Sequence, residues 1–150
     1  MRYVKLALML LTAAIALMAA DPTIGTWKLN TAKSKKTGSP YQEATLTISG
    51  SGSDVDVIAK VTPANGAPFS VHYTVPANGG AGKIIEAPYD AVSGKVLNAS
   101  ERENSFSKGG KVIYTTRAKV SKGGKTMTVR SKGTNAAGQV ADYVTTYDKQ

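Results

Sequence analysis

From Tyr41 onward the chain alternates apolar and polar side chains with a period of two, broken at short intervals by glycine-rich turns. Ala44, Leu46 and Ile48 share one face of the stretch from Tyr41 to Ser49, and Thr45 and Thr47 share the other. That period is the signature of a half-buried β-strand. Gly50-Ser51-Gly52-Ser53 turns the chain, Val55, Val57, Ala59 and Val61 repeat the alternation, and Asn65-Gly66 turns it again with residues that tolerate positive φ. Phe69, Val71, Tyr73 and Val75 then form the clearest apolar face, with His72 pointing the other way. Upstream, Ile24 to Asn30 reads as the first strand, and Thr31 to Pro40 as a polar loop carrying Lys33, Lys35 and Lys36.

Between Pro76 and Ser100 the pattern is fainter. Ile84-Ile85 is a short apolar pair, Gly79-Gly80-Ala81-Gly82 and the run from Pro88-Tyr89-Asp90 to Gly94 read as turns or bends, and two short strands are expected. Further on, Arg102, Asn104 and Phe106 share a face. Val112, Tyr114, Thr116, Ala118 and Val120 share the next, with Ile113 as an apolar exception. Met127, Val129 and Ser131 follow, and the last strand places Tyr143, Thr145 and Tyr147 together. Ser107-Lys108-Gly109-Gly110-Lys111 recurs as Ser121-Lys122-Gly123-Gly124-Lys125, a spacing of one strand plus one turn. Nothing outside the first twenty residues predicts a helix. About eight to ten short strands joined by tight turns either leave two exposed edges or close on themselves, and closure removes the edges. The expected fold is all-β: a single antiparallel up-and-down meander barrel.

Residues 1–20 read as a signal peptide, with Arg2 and Lys5 before an apolar run from Leu6 to Leu17 that is too short to span a bilayer. Cleavage after Ala20, favoured over Ala16, leaves one domain over residues 21–150. No cysteine follows the apolar run, so a lipid anchor of the bacterial lipoprotein type is excluded, and the expected location is periplasmic or extracellular without stable membrane insertion. With zero Cys the core alone must hold the fold, and a domain of this size can do so. Setting aside Arg2 and Lys5 leaves 17 Lys and Arg against 10 Asp and Glu, a net charge of +7. That balance suits either a polyanion partner or ordinary solubility.

Gly25-Thr26-Trp27-Lys28-Leu29 at the head of the first strand resembles the opening signature of the calycins, the lipocalins and fatty-acid-binding proteins, and Tyr147-Asp148-Lys149 is similar to the closing Tyr-Glu-Lys of the latter. The segment from Val120 to Val129 is similar to a stretch common in small secreted bacterial lipocalin-like proteins of unassigned function. The resemblance implies that Gly25 and Trp27 plug one end of the barrel, with a basic residue packed across the tryptophan; Arg130 and Arg117 are the candidates. It also implies an inward Arg-x-Tyr in the last strand, but Thr145 stands where the arginine is expected. Arg102 could supply an inward guanidinium instead, or lie outside beside Glu101 and Glu103.

Catalytic chemistry finds little to work with. A single His and no Cys exclude a Cys-His pair and a multi-His metal centre. His72 is expected to face solvent, and Asp54 and Asp56 sit locally on one polar face, unlike a glycosidase pair. Glycine-rich Gly79 to Gly82 lacks the helix that phosphate binding needs, and no aromatic residues interleave with the lysines as single-stranded nucleic acid would require. No cofactor, metal or nucleic acid is implied, and no enzyme is expected.

Two readings of function remain. Inward-facing Phe69, Val71, Tyr73, Arg102, Val112, Tyr114, Met127, Val129 and Tyr147 either enclose a small apolar ligand or fill the barrel as a dry core. Alternatively, the loop at Lys33 to Lys36 and the turn at Lys108, placed at one end by the meander, form a basic rim for acidic envelope or matrix polymers.

Overall fold

The alternating segments are strands throughout the computed structural model, which describes residues 21–35 and 37–150; the leader expected at residues 1–20, and Lys36, lie outside the described residues. The strands are β1 (Gly25–Leu29), β2 (Tyr41–Ser51), β3 (Asp54–Pro63), β4 (Phe69–Pro76), β5 (Gly80–Ala81), β6 (Lys83–Glu86), β7 (Ala91–Asn98), β8 (Glu101–Lys108), β9 (Lys111–Val120), β10 (Thr126–Thr134) and β11 (Val140–Lys149). They form one antiparallel sheet of eleven strands, in the order β5-β7-β8-β9-β10-β11-β1-β2-β3-β4-β6. Except at β5 and β6, neighbours in sequence are neighbours in space, and the first and last strands meet where β1 pairs with β11, Trp27 opposite Lys149. The sheet is a nearly closed up-and-down barrel.

Eleven strands exceed the eight to ten expected, and the excess arises at the seam. One extended segment pairs first with β7, Gly80 opposite Gly94, and then with β4, Tyr73 opposite Ile84. It changes partner at Gly82, whose amide donates to Val92 O at 2.8 Å. A Cβ on Gly82 would stand 2.1 Å from Thr74 O. Only glycine permits that approach, so β5 and β6 are one strand broken where two neighbours converge. The run from Ala91 to Gly94, expected as a turn, belongs to β7.

The chain also contains a helix that alternation did not predict, α1 (Thr31–Lys35). Asn30 caps it: its Oδ1 accepts from Lys33 N at 3.1 Å. Buried Ser34 ties the turn to β11, accepting from Thr146 N at 3.0 Å and donating to Asn30 O at 2.8 Å. Among the described residues no helix is long and apolar enough to cross a membrane.

Inward-facing residues from every long strand build one core. Trp27, Ala44, Val55, Val75, Val92, Phe106, Val120 and Met127 are buried within it. Because consecutive turns alternate between the two ends, the turns at Lys108 and Lys122 lie at opposite ends, and the Lys108 turn shares its end with α1.

Candidate functional site

Inward side chains leave a cavity of about 130 Å³ along the barrel interior. Of the residues expected to face inward, Phe69, Val71 and Tyr73 on β4, Arg102 on β8, Tyr114 on β9, and Met127 and Val129 on β10 line it. Two do not. Tyr147 is 4% exposed and buried in the core, opposite Met127 and Leu29, but stands off the cavity wall. Burial pushes its phenol up to about 12, against the lowering effect of a Thr145 hydrogen bond.

Val112 is 52% exposed. Phe106 pairs with Tyr114 while Ser107 pairs with Val112, so Ile113 is an extra residue on β9. This bulge shifts the alternation by one, turning Val112 outward and packing Ile113 against the core. The apolar exception at Ile113 was the trace of that bulge in the sequence.

Several lining residues were absent from the expected set. Val55, Val57, Ala59 and Val61 carry the same alternation on β3, and all four reach the cavity. Tyr89 was hidden by its turn-like neighbours Pro88 and Asp90. Its ring stacks on Tyr114 with centroids 5.9 Å apart and lies 5.0 Å from Phe106, which meets Tyr73 edge-on at 5.0 Å. These rings form an aromatic wall. The Tyr89 hydroxyl donates to Thr134 O at 3.1 Å, holding that wall against the β10–β11 connection. Nearby, Tyr143 donates to the Tyr41 hydroxyl at 2.7 Å and Asn135 donates to both, tying that end shut. Burial raises the Tyr41 phenol well above the ordinary tyrosine range, with neighbouring tyrosines adding to the effect.

Arg102 points inward, not outward beside Glu101 and Glu103. Its side chain is 11% exposed and meets Asp21 Oδ2 at 3.0 Å. It also donates to Ala77 O at 2.6 Å and Pro76 O at 3.3 Å. Arg102 therefore stands between the inner cavity and an outer hollow of about 690 Å³ bounded by Asp21, Val96, Lys119 and Lys122. Glu101 lies on the outer face with Arg117, 3.0 Å away, and the Asn98 amide, then Arg117, holds its carboxyl below the usual range.

The plug at the same end is built as expected in one part and differently in another. Trp27 is 0% exposed, and its indole N–H donates to Thr23 O at 2.8 Å. The cation over its ring is Lys149, 5.3 Å from the centroid, in place of Arg130 or Arg117. Parity decides this: Met127, Val129 and Ser131 face inward, so Arg130 faces outward, where it pairs with Asp142. Gly25 makes room for the lysine, because a Cβ there would stand 2.8 Å from Lys149 Cε.

His72 lies half-buried on the outer face, its Nε2 2.8 Å from Asp56 Oδ1. Among the described residues no hydroxyl hydrogen-bonds that ring, so the pair lacks the nucleophile of a Ser-His-Asp arrangement.

Fold and cavity together define a class: a nearly closed, all-antiparallel up-and-down β-barrel with an apolar interior, consistent with a calycin-like fold. Comparison with known protein families, curated proteins and solved structures finds no match.

Proposed function

We propose that this chain is an exported, non-enzymatic, calycin-like barrel that holds a small apolar molecule in its interior. The supporting observation is the apolar cavity of about 130 Å³ in the barrel interior, walled by Phe69, Val71, Tyr114, Met127 and Val129. An apolar cavity of about 150 Å³ takes up benzene. The occupant is therefore a compact ring or branched hydrocarbon, and a long acyl chain exceeds the space. Thr145 at the position of the expected arginine agrees with that.

The test is solution NMR of the purified protein titrated with toluene. Saturable shifts confined to residues around Phe69, Tyr114 and Met127 are expected; their absence at millimolar toluene would mean a dry, filled core.

A second reading keeps the barrel as a binder of acidic envelope or matrix polymers through a basic rim. Lys33, Lys35 and Lys108 support it, being exposed on connections at one end of the meander. Binding to a sulfated polysaccharide that falls steeply between low and physiological salt is its expected signature.

A further inference from the structure

Asn104, Tyr73 and Arg102 interrupt the apolar lining of the cavity. Arg102 is already engaged, by Asp21 and two backbone carbonyls. A ligand carboxylate would meet a guanidinium whose charge is matched and would have to displace Asp21. Asn104 and Tyr73 differ. The Asn104 Nδ2 donates to the Tyr73 hydroxyl at 3.0 Å, and Asn104 Oδ1 is buried with no partner. The Tyr73 hydroxyl hydrogen likewise has no acceptor among the described residues. Burial pushes the Tyr73 phenol up to about 12, outweighing the opposing Asn104 bond, so the hydroxyl is a neutral donor at neutral pH.

β7 packs closely beside this pair. Gly94 faces Asn104 across the β7–β8 register. A Cβ on it would stand 3.3 Å from Asn104 Oδ1 and 3.2 Å from Val75 Cβ. That spacing is too tight for a side chain, so β7 packs close here and brings no side-chain donor to the orphaned acceptor. An unpaired buried acceptor carries its full desolvation penalty until something donates to it.

We propose that Asn104 and Tyr73 read a neutral hydroxyl group on a compact apolar molecule, whose O–H donates to Asn104 Oδ1 while its oxygen accepts from the Tyr73 O–H. This rests on the cavity-binding reading and narrows it. A hydroxyl supplies both roles from one atom. A hydrocarbon supplies neither, a carbonyl leaves Oδ1 orphaned, and a carboxylate adds a charge that the site does not balance.

Calorimetric titration of the purified protein with phenol, toluene, benzaldehyde and benzoate separates these cases. Phenol is expected to bind about tenfold more tightly than benzaldehyde, the size of one buried hydrogen bond, and by a wider margin than toluene, which makes neither bond; benzoate is expected not to bind measurably. Asn104→Leu should remove the phenol advantage while toluene binds as well or better, and Tyr73→Phe should remove part of it. Toluene equal to phenol, or benzaldehyde or benzoate binding tightest, overturns the hydroxyl proposal and leaves apolar binding standing. No saturable binding by any of the four overturns both. The unsubstituted protein decides between these outcomes even where a variant fails to fold.

Discussion

Replacing Gly25 with alanine tests how the barrel plug is assembled. Gly25 has a φ of +143°, and its missing Cβ leaves the path that Lys149 follows to reach Trp27. Two costs follow. A side chain in that half of φ space strains the backbone by about 1–3 kcal/mol. Pushing Lys149 aside forfeits a cation–π contact of about 0.5–1 kcal/mol, the range for an exposed cation such as this one. Gly25→Ala should therefore destabilise the protein by about 1.5–4 kcal/mol. In a Lys149→Ala background only the backbone strain remains, so the same substitution should cost less by about 0.5–1 kcal/mol. Urea unfolding of the four proteins, followed by fluorescence of the sole tryptophan, measures this coupling. With a urea slope of about 2 kcal/mol per molar, the single variant's midpoint should fall by roughly 1–2 M. Strictly additive costs would refute the idea that the glycine exists to let the lysine through.

Other substitutions test other parts of the barrel. Gly82→Ala forces backbone apart at the seam and should cost about 3 kcal/mol, with amide exchange accelerated at Ile84 and residue 82 before the rest of the sheet. The β8–β9 pair has unequal sensitivities: buried Phe106→Ala should lose about 3–5 kcal/mol, whereas Val112→Ala, turned outward by the bulge at Ile113, should stay within about 0.5 kcal/mol in denaturant melts. Alkaline titration monitored at the tyrosinate absorbance should show Tyr73 and Tyr147 ionising near 12 in the folded chain, against 10.0 ordinarily. Since the folded state holds these protons more tightly, their contribution to stability is complete below pH 10.0 and is lost as pH rises toward 12. Tyrosines that all ionise near the ordinary value, with the protein still folded, would contradict their burial.

The strands were legible wherever one face meets the core and the other meets water, because that contrast writes a period of two into the sequence. β3 and β4 are the clearest cases, and seven of the nine residues expected in the cavity wall reach it. The errors have local causes. Parity counted from Tyr114 places Val112 inward, and a single extra residue reverses it. β7 was obscured because its exposed positions and Gly94 weaken the alternation. α1 is a single turn, too short for a helical period to show, although Asn30 was an available capping signal. Arg102 was ambiguous because its inward place depends on Asp21 and on the carbonyls of Pro76 and Ala77, groups distant in sequence that no local pattern connects. Lys149 is not legible as the cation for the same reason: its contact with Trp27 exists only once β1 and β11 are side by side.

That adjacency has a kinetic side. The partners of β1 include the final residues of the chain, with Trp27 opposite Lys149 and Gln150 N donating to Thr26 O at 2.9 Å. Closing so long a loop is slow in itself. During synthesis, the other strands can pair with neighbours close in sequence, but the shield over the tryptophan waits for β11 to emerge. A nascent chain in which β11 has not yet emerged thus lacks the pairing of β1 with β11 and the lysine over the indole. Truncation before Thr146 should leave a product that a protease can tell from the closed barrel.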